Sequence, residues 1–184
     1  MLKTFHEHTL ETDLLKPGCI VLDVGCRGFE FGNELRKEFQ AKVYETDIDD
    51  LDGDQPYYRC GIAQIEGFGD VDYNAEKEAR RLMPGEAIKV FTIQSFGALV
   101  GVGRWDIIKL DCEGSEYDIL WELQAPPATQ ITVEFHQHTE ARRSEEFMAQ
   151  LINKLEQWYE VRQHCLSGKK KAYKNYWDSL FTLK

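Results

Sequence analysis

The sequence lacks a long apolar run. No stretch approaches the ~20 consecutive apolar residues that a membrane-spanning helix requires. Residues 1–15 carry acidic side chains and histidines among the apolar ones, so they do not have the charged-then-apolar layout of a signal peptide. We therefore expect neither a membrane partner nor a secretion signal.

Closely spaced cysteines are also missing. The five cysteines are scattered along the chain, and they form no Cys-x-x-Cys pair that would indicate zinc binding or disulfide exchange. An odd number of scattered cysteines is not typical of a disulfide framework. We therefore expect reduced thiols and a cytoplasmic location.

Positive charge is scarce. The chain has 22 Lys and Arg against 32 Asp and Glu, which gives a net charge of −10. This charge repels nucleic-acid backbones and anionic membranes, so we expect no nucleic-acid partner and a small-molecule substrate instead. The basic residues of 167–174 could grip phosphate, but a solvated hairpin loop is the simpler interpretation.

The length fits a single domain. Two domains within 184 residues would each have a thin core, and no composition shift or repeat marks a boundary. We predict one domain over 1–184, with residues 1–17 as an N-terminal extension. The oligomeric state stays open, and a homo-oligomer is compatible with the sequence.

Strand and helix patterns alternate along the chain. We predict strands over 20–24, 42–46, part of 57–63, 88–93, 105–110, 131–135, 159–166 and 177–183. We predict helices over 32–39, 74–82, 95–100, 114–123 and 139–158. This order predicts an α/β fold, with a Rossmann-like, doubly wound, mostly parallel sheet of about seven strands and an antiparallel C-terminal hairpin at its edge.

The first strand leads into a glycine turn. Its apolar residues are followed by Asp23, Gly25 and Gly28, and the second strand ends at Asp47. Glycine lets the backbone approach a ligand, and a carboxylate after the second strand accepts hydrogen bonds from ribose hydroxyls. The pattern predicts a nucleoside-containing cofactor, although a plain strand-to-helix turn would use glycine too. The alternatives to Asp47 as the ribose contact are Glu45 and Asp49.

Charged residues follow one another at the end of the strand over 105–110. Lys109 could be a buried lysine held in a structural ion pair, because unpaired buried charges are costly. Asp111 and Glu113 should lie where the strand ends, at the mouth of a ligand crevice, which favours a functional role. Glu116, one turn into the next helix, is expected to interact with the helix N-terminus.

Glu134, His136 and His138 alternate, so they share one face if the strand continues. Such a set could bind zinc or another divalent ion, but no second cluster completes it, and we predict no metal. His136 is predicted to move a proton or orient a substrate. His6 and His8 are expected at the surface, near a chain terminus.

The run from Lys109 to Glu116 closely resembles the Lys-x-Asp-x-Glu-Gly-x-Glu signature of FkbM-type S-adenosylmethionine-dependent methyltransferases. Asp23, Asp47 and Glu134 fall into that family's order, and the resemblance covers residues 18–138, with 177–181 similar to its closing strand. It implies a Rossmann-like methyltransferase sheet and S-adenosylmethionine as the cofactor. One departure is that the second glycine follows the first after three residues, where the family usually has four.

The resemblance also implies site residues. His136 is the first candidate for a base that removes a hydroxyl proton, Asp111 or Glu113 come next, and Lys109 would orient a carboxylate or lower the pKa of the acceptor. The predicted cofactor contacts are Asp23, Gly25, Cys26, Arg27, Gly28, Asp47, Ile48, Gly61, Ile62, Ala63 and Asp111. The implied reaction is methylation of a hydroxyl on a small molecule or sugar, and nothing in the sequence excludes nitrogen.

Two other functions share parts of this pattern. A noncatalytic S-adenosylmethionine-binding partner subunit would explain the altered glycine spacing and the little room for a substrate cap. A NAD-dependent oxidoreductase would share the glycine turn and the acid after the second strand. The carboxylate cluster and the C-terminal hairpin favour the methyltransferase over the oxidoreductase.

Overall fold

The computed structural model describes residues 1–49, 51, 56–63, 67–69, 88–136, 145–166 and 176–184. The predicted helix over 74–82, the basic loop over 167–174 and His138 lie outside the described residues.

The elements follow one another in a strand-rich order. The strands are β1 (Leu2–Phe5), β2 (His8–Glu11), β3 (Ile20–Val24), β4 (Lys42–Asp47), β5 (Tyr58–Arg59), β6 (Gly61–Ile62), β7 (Gly67–Gly69), β8 (Ile88–Phe91), β9 (Trp105–Leu110), β10 (Ala128–His136), β11 (Tyr159–Leu166) and β12 (Tyr176–Leu183). The helices are α1 (Glu30–Phe39), α2 (Ile93–Val100), α3 (Glu116–Trp121) and α4 (Glu145–Leu155).

A seven-stranded sheet forms the centre, in the order β11-β12-β10-β9-β3-β4-β5. The strands from β10 to β5 run parallel, whereas β12 is antiparallel to both of its neighbours. The predicted fold class is confirmed, including the C-terminal hairpin at the edge. Because the strands are parallel, the carboxyl ends of β3, β4, β9 and β10 lie along one edge, where ligands bind in such sheets.

The bounds of three helices differ from the predicted ones for local reasons. Helix α1 begins at Glu30, directly after Phe29, which adopts a left-handed conformation with φ of 63°. Helix α2 begins at Ile93 because Thr92 caps it in a reciprocal pair with Ser95. Helix α3 begins only at Glu116, since the two residues before Ser115 have positive φ, which a helix does not accommodate.

The strand predicted within 57–63 is divided in two. Strand β5 continues the large sheet, and β6 leaves it to join a separate sheet in the order β6-β8-β7. The division falls at Cys60, whose N–H donates to the Asp47 carbonyl at 2.9 Å. This arrangement brings residues 61–63 close to the end of β4.

The N-terminal residues form an antiparallel hairpin, β1–β2, which the sequence analysis did not predict. Phe5 and Leu10 are buried in an apolar cluster with residues of β3 and α1. The Gln130 side chain joins the hairpin to β10, accepting from the Glu11 N–H at 2.8 Å and donating to the Glu11 carbonyl at 3.1 Å. The hairpin therefore packs on the sheet that carries the candidate site.

A larger apolar cluster is built from the central strands with α2, α3 and α4. Within the described ranges, no helix has the length and apolar character needed to cross a membrane.

Candidate active site

Lys109 is buried at the centre of the sheet and holds the glycine turn. Its Nζ lies 2.9 Å from Asp23 Oδ1 and 3.7 Å from Asp111 Oδ2, and it donates to the Gly25 carbonyl at 2.6 Å. Although burial disfavours the charged amine, the Asp23 and Asp111 carboxylates raise the pKa of Lys109 above its ordinary value. Lys109 is thus a cation. The fully buried Asp23 pairs with Lys109, and Lys109 in turn donates to the glycine turn.

Gly25 allows the turn to touch the end of β9. Its φ is +76°, and a Cβ placed there would lie 1.8 Å from the Asp111 carbonyl oxygen. No residue with a side chain fits that space. A Cβ at Gly28 would instead meet the Glu30 carboxylate, the end of a flexible side chain. The shortened spacing between the two glycines changes the position of Gly28. It does not affect Gly25, which makes the closest approach to β9.

Asp47 closes the other side of the turn. One of its carboxylate oxygens accepts from the Arg27 N–H at 3.1 Å and the other from the Asp49 N–H at 2.9 Å. Burial raises the pKa of the Asp47 carboxyl. Each oxygen keeps a second lone pair, so Asp47 has acceptor capacity left for ribose hydroxyls.

The first alternative to Asp47 is engaged elsewhere. Both carboxylate oxygens of Glu45 accept from the Arg36 guanidinium, at 2.9 and 2.7 Å. This bidentate pair points toward α1, and it leaves Asp47 as the acid that faces the glycine turn.

The remaining predicted cofactor residues surround the same edge. Ile48 Cγ2 lies 3.7 Å from where a Gly61 Cβ would stand, and the Ala63 N–H donates to the Phe91 carbonyl at 2.8 Å. Cys26 is buried, and burial together with nearby carboxylates raises the pKa of its thiol. Cys26 therefore stays protonated and contributes a buried, uncharged side chain to the turn.

Asp111 is the centre of a charged cluster at the ends of β9 and β10. Its Oδ2 lies 3.6 Å from His8 Nε2, and its Oδ1 lies 3.6 Å from His136 Nε2. Burial opposes ionisation, but the Lys109 charge, followed by the contact with the His8 imidazole and the His136 charge, outweighs it and lowers the pKa of Asp111. Asp111 is therefore an ionised, partly exposed carboxylate.

Glu116 lies directly behind His136. Its Oε1 is 2.6 Å from His136 Nδ1 and accepts from the Cys112 N–H at 3.0 Å. Burial alone would lower the pKa of His136, but Glu116, followed by Asp111 and Glu113, raises it to about 9. Glu116 thus fixes the imidazole with Nε2 toward Asp111. This role of Glu116 was not predicted from the sequence, although Glu116 shares the buried face of α3 with Ile119 and Leu120.

Glu113 occupies the turn between β9 and α3 in a left-handed conformation, with φ of 55°. This conformation is costly for a residue with a side chain, and such strain often occurs at functional sites. The half-exposed carboxylate lies 3.8 Å from His136 Nε2, so Glu113 faces the cluster as predicted.

His8 lies buried next to Asp111 in the site. The prediction that it lies at the surface is wrong, because the hairpin buries it to 2% exposure against Phe31, with Nδ1 3.4 Å from the Thr132 hydroxyl. Burial lowers the pKa of His8, which keeps the imidazole neutral. The alternation of His8 with Leu10 was the available signal of a strand. His6 is exposed, as expected.

Glu134 faces the same cluster from β10, on the face that it shares with His136. Burial, followed by the Asp111 charge, raises the pKa of Glu134 to about 7. Of the predicted set of Glu134, His136 and His138, the structure describes the first two. Glu134 and His136 lie together in the cluster.

Residues 19–165 match the family described as the methyltransferase FkbM domain. The chain belongs to the FkbM methyltransferase family. It is therefore an S-adenosylmethionine-dependent methyltransferase, as the resemblance implied. No curated protein matches the chain.

The fold of this FkbM methyltransferase is similar to that of M. capricolum TrmK, and ChlM is a more distant structural match. M. capricolum TrmK, in complex with S-adenosylhomocysteine, is similar with a TM-score of 0.52 and 11% identity, over 95% of this chain and 69% of TrmK. Magnesium protoporphyrin IX methyltransferase (ChlM) from Synechocystis PCC 6803, with bound S-adenosylmethionine, has a TM-score of 0.49 and 14% identity, over 91% of this chain and 71% of ChlM. At such identities the likeness concerns the fold alone.

The FkbM methyltransferase has a crevice edge that suits its cofactor. Gly25 would allow the close backbone approach, Asp47 has acceptor capacity that would suit ribose hydroxyls, and Asp111 carries a negative charge that would suit the sulfonium end. The predicted cofactor residues and the predicted catalytic residues thus meet at one edge of the sheet.

Proposed function

We propose that this FkbM methyltransferase transfers a methyl group to a hydroxyl oxygen of a small molecule or sugar. The observation that carries the proposal is the chain of contacts from Glu116 through His136 to Asp111, which ends at the predicted cofactor crevice. A buried carboxylate behind an imidazole is the arrangement that supports a general base.

Within this proposal His136 Nε2 accepts the hydroxyl proton. When bound, S-adenosylmethionine supplies an electrophilic methyl group whose bond to sulfur breaks as the bond to oxygen forms. Glu116 stabilises the imidazolium that results, because its carboxylate already accepts from Nδ1. Asp111 and Glu113 hold the acceptor near Nε2, and Lys109 keeps Asp111 ionised.

The pKa of His136 sets the conditions for this step. With a pKa of about 9, roughly one in a hundred His136 side chains is neutral at pH 7, and that fraction rises about tenfold per pH unit. The rate should therefore increase with pH until it levels near pH 9. We also propose a reducing, cytoplasmic setting, since Cys19, Cys26, Cys60 and Cys112 are free thiols.

The first test is calorimetric titration of the protein with S-adenosylhomocysteine and with NAD. We expect one-to-one binding of S-adenosylhomocysteine and none of NAD. A folded sample that does not bind S-adenosylhomocysteine would contradict the proposal.

The second test is a methyl-transfer screen over sugar, polyketide-like and peptide hydroxyls, with amines as the comparison. His136→Ala should slow turnover by at least ~100-fold and change cofactor affinity far less, because His136 acts on the proton rather than on the cofactor. Asp111→Asn should slow turnover more than it weakens cofactor binding, because Asp111 faces both His136 and the predicted cofactor crevice. The control is His6→Asn, an exposed position whose left-handed backbone asparagine tolerates. Cofactor binding without transfer to any acceptor would favour a noncatalytic partner subunit.

A further inference from the structure

We propose that His8, Asp111 and Glu134 form a binding site for a divalent transition-metal ion. One ligand atom from each residue lies within 4.8 Å of the other two. Ligands at ~2.0–2.2 Å from a common ion are separated by roughly 3 to 4.4 Å, so small side-chain rotations bring the three atoms into range. The ligands come from β2, the end of β9 and β10.

The orientation of His8 is the independent observation that points to a ligand. The side chain is 2% exposed, and its Nε2 makes no hydrogen bond to a described residue, since the nearby Asp111 Oδ2 lies 3.6 Å away, beyond hydrogen-bond distance. A buried polar nitrogen without a hydrogen bond is costly unless something else binds it. Its Nδ1 meanwhile lies 3.4 Å from the Thr132 hydroxyl, and a proton on Nδ1 would leave the lone pair of Nε2 available to an ion.

The local charge favours a cation. Among the described residues of the cluster, acidic side chains outnumber basic ones: Asp23, Asp111, Glu113, Glu116 and Glu134 lie around Lys109 and His136. Because these five acidic side chains face two basic ones, the described part of the cluster has an excess of acidic groups that an ion next to His8 would help to neutralise.

The donor set indicates the class of ion. One imidazole nitrogen with two carboxylates suits Mn²⁺, Fe²⁺, Co²⁺ or Zn²⁺ better than Mg²⁺, which prefers oxygen ligands alone. Three protein ligands leave coordination positions open for an acceptor oxygen, and a metal there lowers the pKa of a bound hydroxyl. This role in catalysis rests on the proposed function, whereas the metal site itself does not.

The test uses the full chain, stripped with a chelator and titrated with Co²⁺ alone. We expect saturable binding of one ion, with visible absorption bands that change when the imidazole is removed. His8→Gln and Glu134→Gln should each weaken Co²⁺ affinity at least ~10-fold. His6→Asn, on the same hairpin but exposed, should leave that affinity unchanged.

Two results would contradict the proposed metal site. The site would be disproved if the wild-type protein shows no saturable Co²⁺ binding. It would also be disproved if both Gln variants bind Co²⁺ with the wild-type affinity. If His8→Gln fails to fold by circular dichroism, Glu134→Gln decides the matter. Titration of the same samples with S-adenosylhomocysteine separates the two proposals, because its binding without Co²⁺ binding rejects only the metal site.

Discussion

At the scale of single residues, buried carboxylates determine what their neighbours can do. Asp23 keeps Lys109 charged, and Glu116 makes His136 a much stronger base than an ordinary histidine. In both pairs the carboxylate is fully buried, so water does not screen the interaction.

The His136 pair can be tested without an acceptor. In a pH titration followed by the NMR signals of the imidazole protons, His136 should titrate near pH 9. Glu116→Gln keeps the shape but removes the charge, so the pKa of His136 should fall by at least ~1 unit. Glu122→Gln, an exposed acid after the same helix, should leave that pKa unchanged. An equal pKa in wild type and Glu116→Gln would contradict the assigned role of Glu116.

Gly25 gives a second prediction at this scale. Gly25→Ala should lower the free energy of unfolding by more than ~3 kcal/mol and abolish S-adenosylhomocysteine binding, because the methyl group collides with the Asp111 carbonyl. Gly18 is the matched control, with a φ of +82° and open space around it. Gly18→Ala should cost only about 1–2 kcal/mol, the strain of the backbone alone. Denaturant unfolding measures both, and equal losses would show that the close approach is unimportant.

At the scale of elements, the N-terminal hairpin decides which side chains reach the site. Strand β2 carries His8 into the cluster, and the hairpin is fastened to β10 by the two hydrogen bonds between Gln130 and the Glu11 backbone. A histidine distant in sequence thus joins Asp111 through an element that lies outside the main sheet.

Gln130→Met tests this attachment. It retains the volume but removes both hydrogen bonds, so it should lower the free energy of unfolding by roughly 1–3 kcal/mol. Hydrogen exchange at residues 2–11 should accelerate more than exchange in β9. Gln124→Met is the control, since Gln124 is exposed and its side chain donates to the carbonyl of the nearby Glu122 rather than to another element. If exchange in the hairpin stays as slow as in wild type, Gln130 does not fasten it.

At the scale of the whole molecule, the same cluster couples stability to pH. His136 has a folded-state pKa of about 9 against an ordinary value of 6.5, so its stabilising protonation is complete below pH 6.5 and is lost as pH rises through 9. By linkage this loss amounts to roughly 3 kcal/mol. The lowered pKa of His8 acts in the other direction, and only below pH 6.5.

Chemical denaturation at several pH values checks this coupling. The free energy of unfolding should fall between pH 7 and 9 in wild type, and His136→Gln should flatten that decline. His6→Asn should reproduce the wild-type curve, because His6 is exposed. A decline of the same size in His136→Gln would assign the pH dependence to other groups.

Much of the fold was predictable because its signals are local. Strands β3 and β9 have the predicted bounds, since a glycine or a charged residue lies close to each of their ends. The meeting of Asp111 with His136 was predictable too, because the ends of neighbouring parallel strands converge. The late start of α3 was not, since it depends on the strained conformation of Glu113.

The sequence by itself determined the order of strands and helices, the family, the cofactor and the acids and histidine at the strand ends. Each of these is written in short runs of residues whose periodicity or motif has one physical meaning. Only the tertiary structure decided that Glu116 lies behind His136 and that His8 faces Asp111. Those contacts join residues 20 and 103 positions apart, and they depend on how a helix and a hairpin pack, which no local pattern encodes.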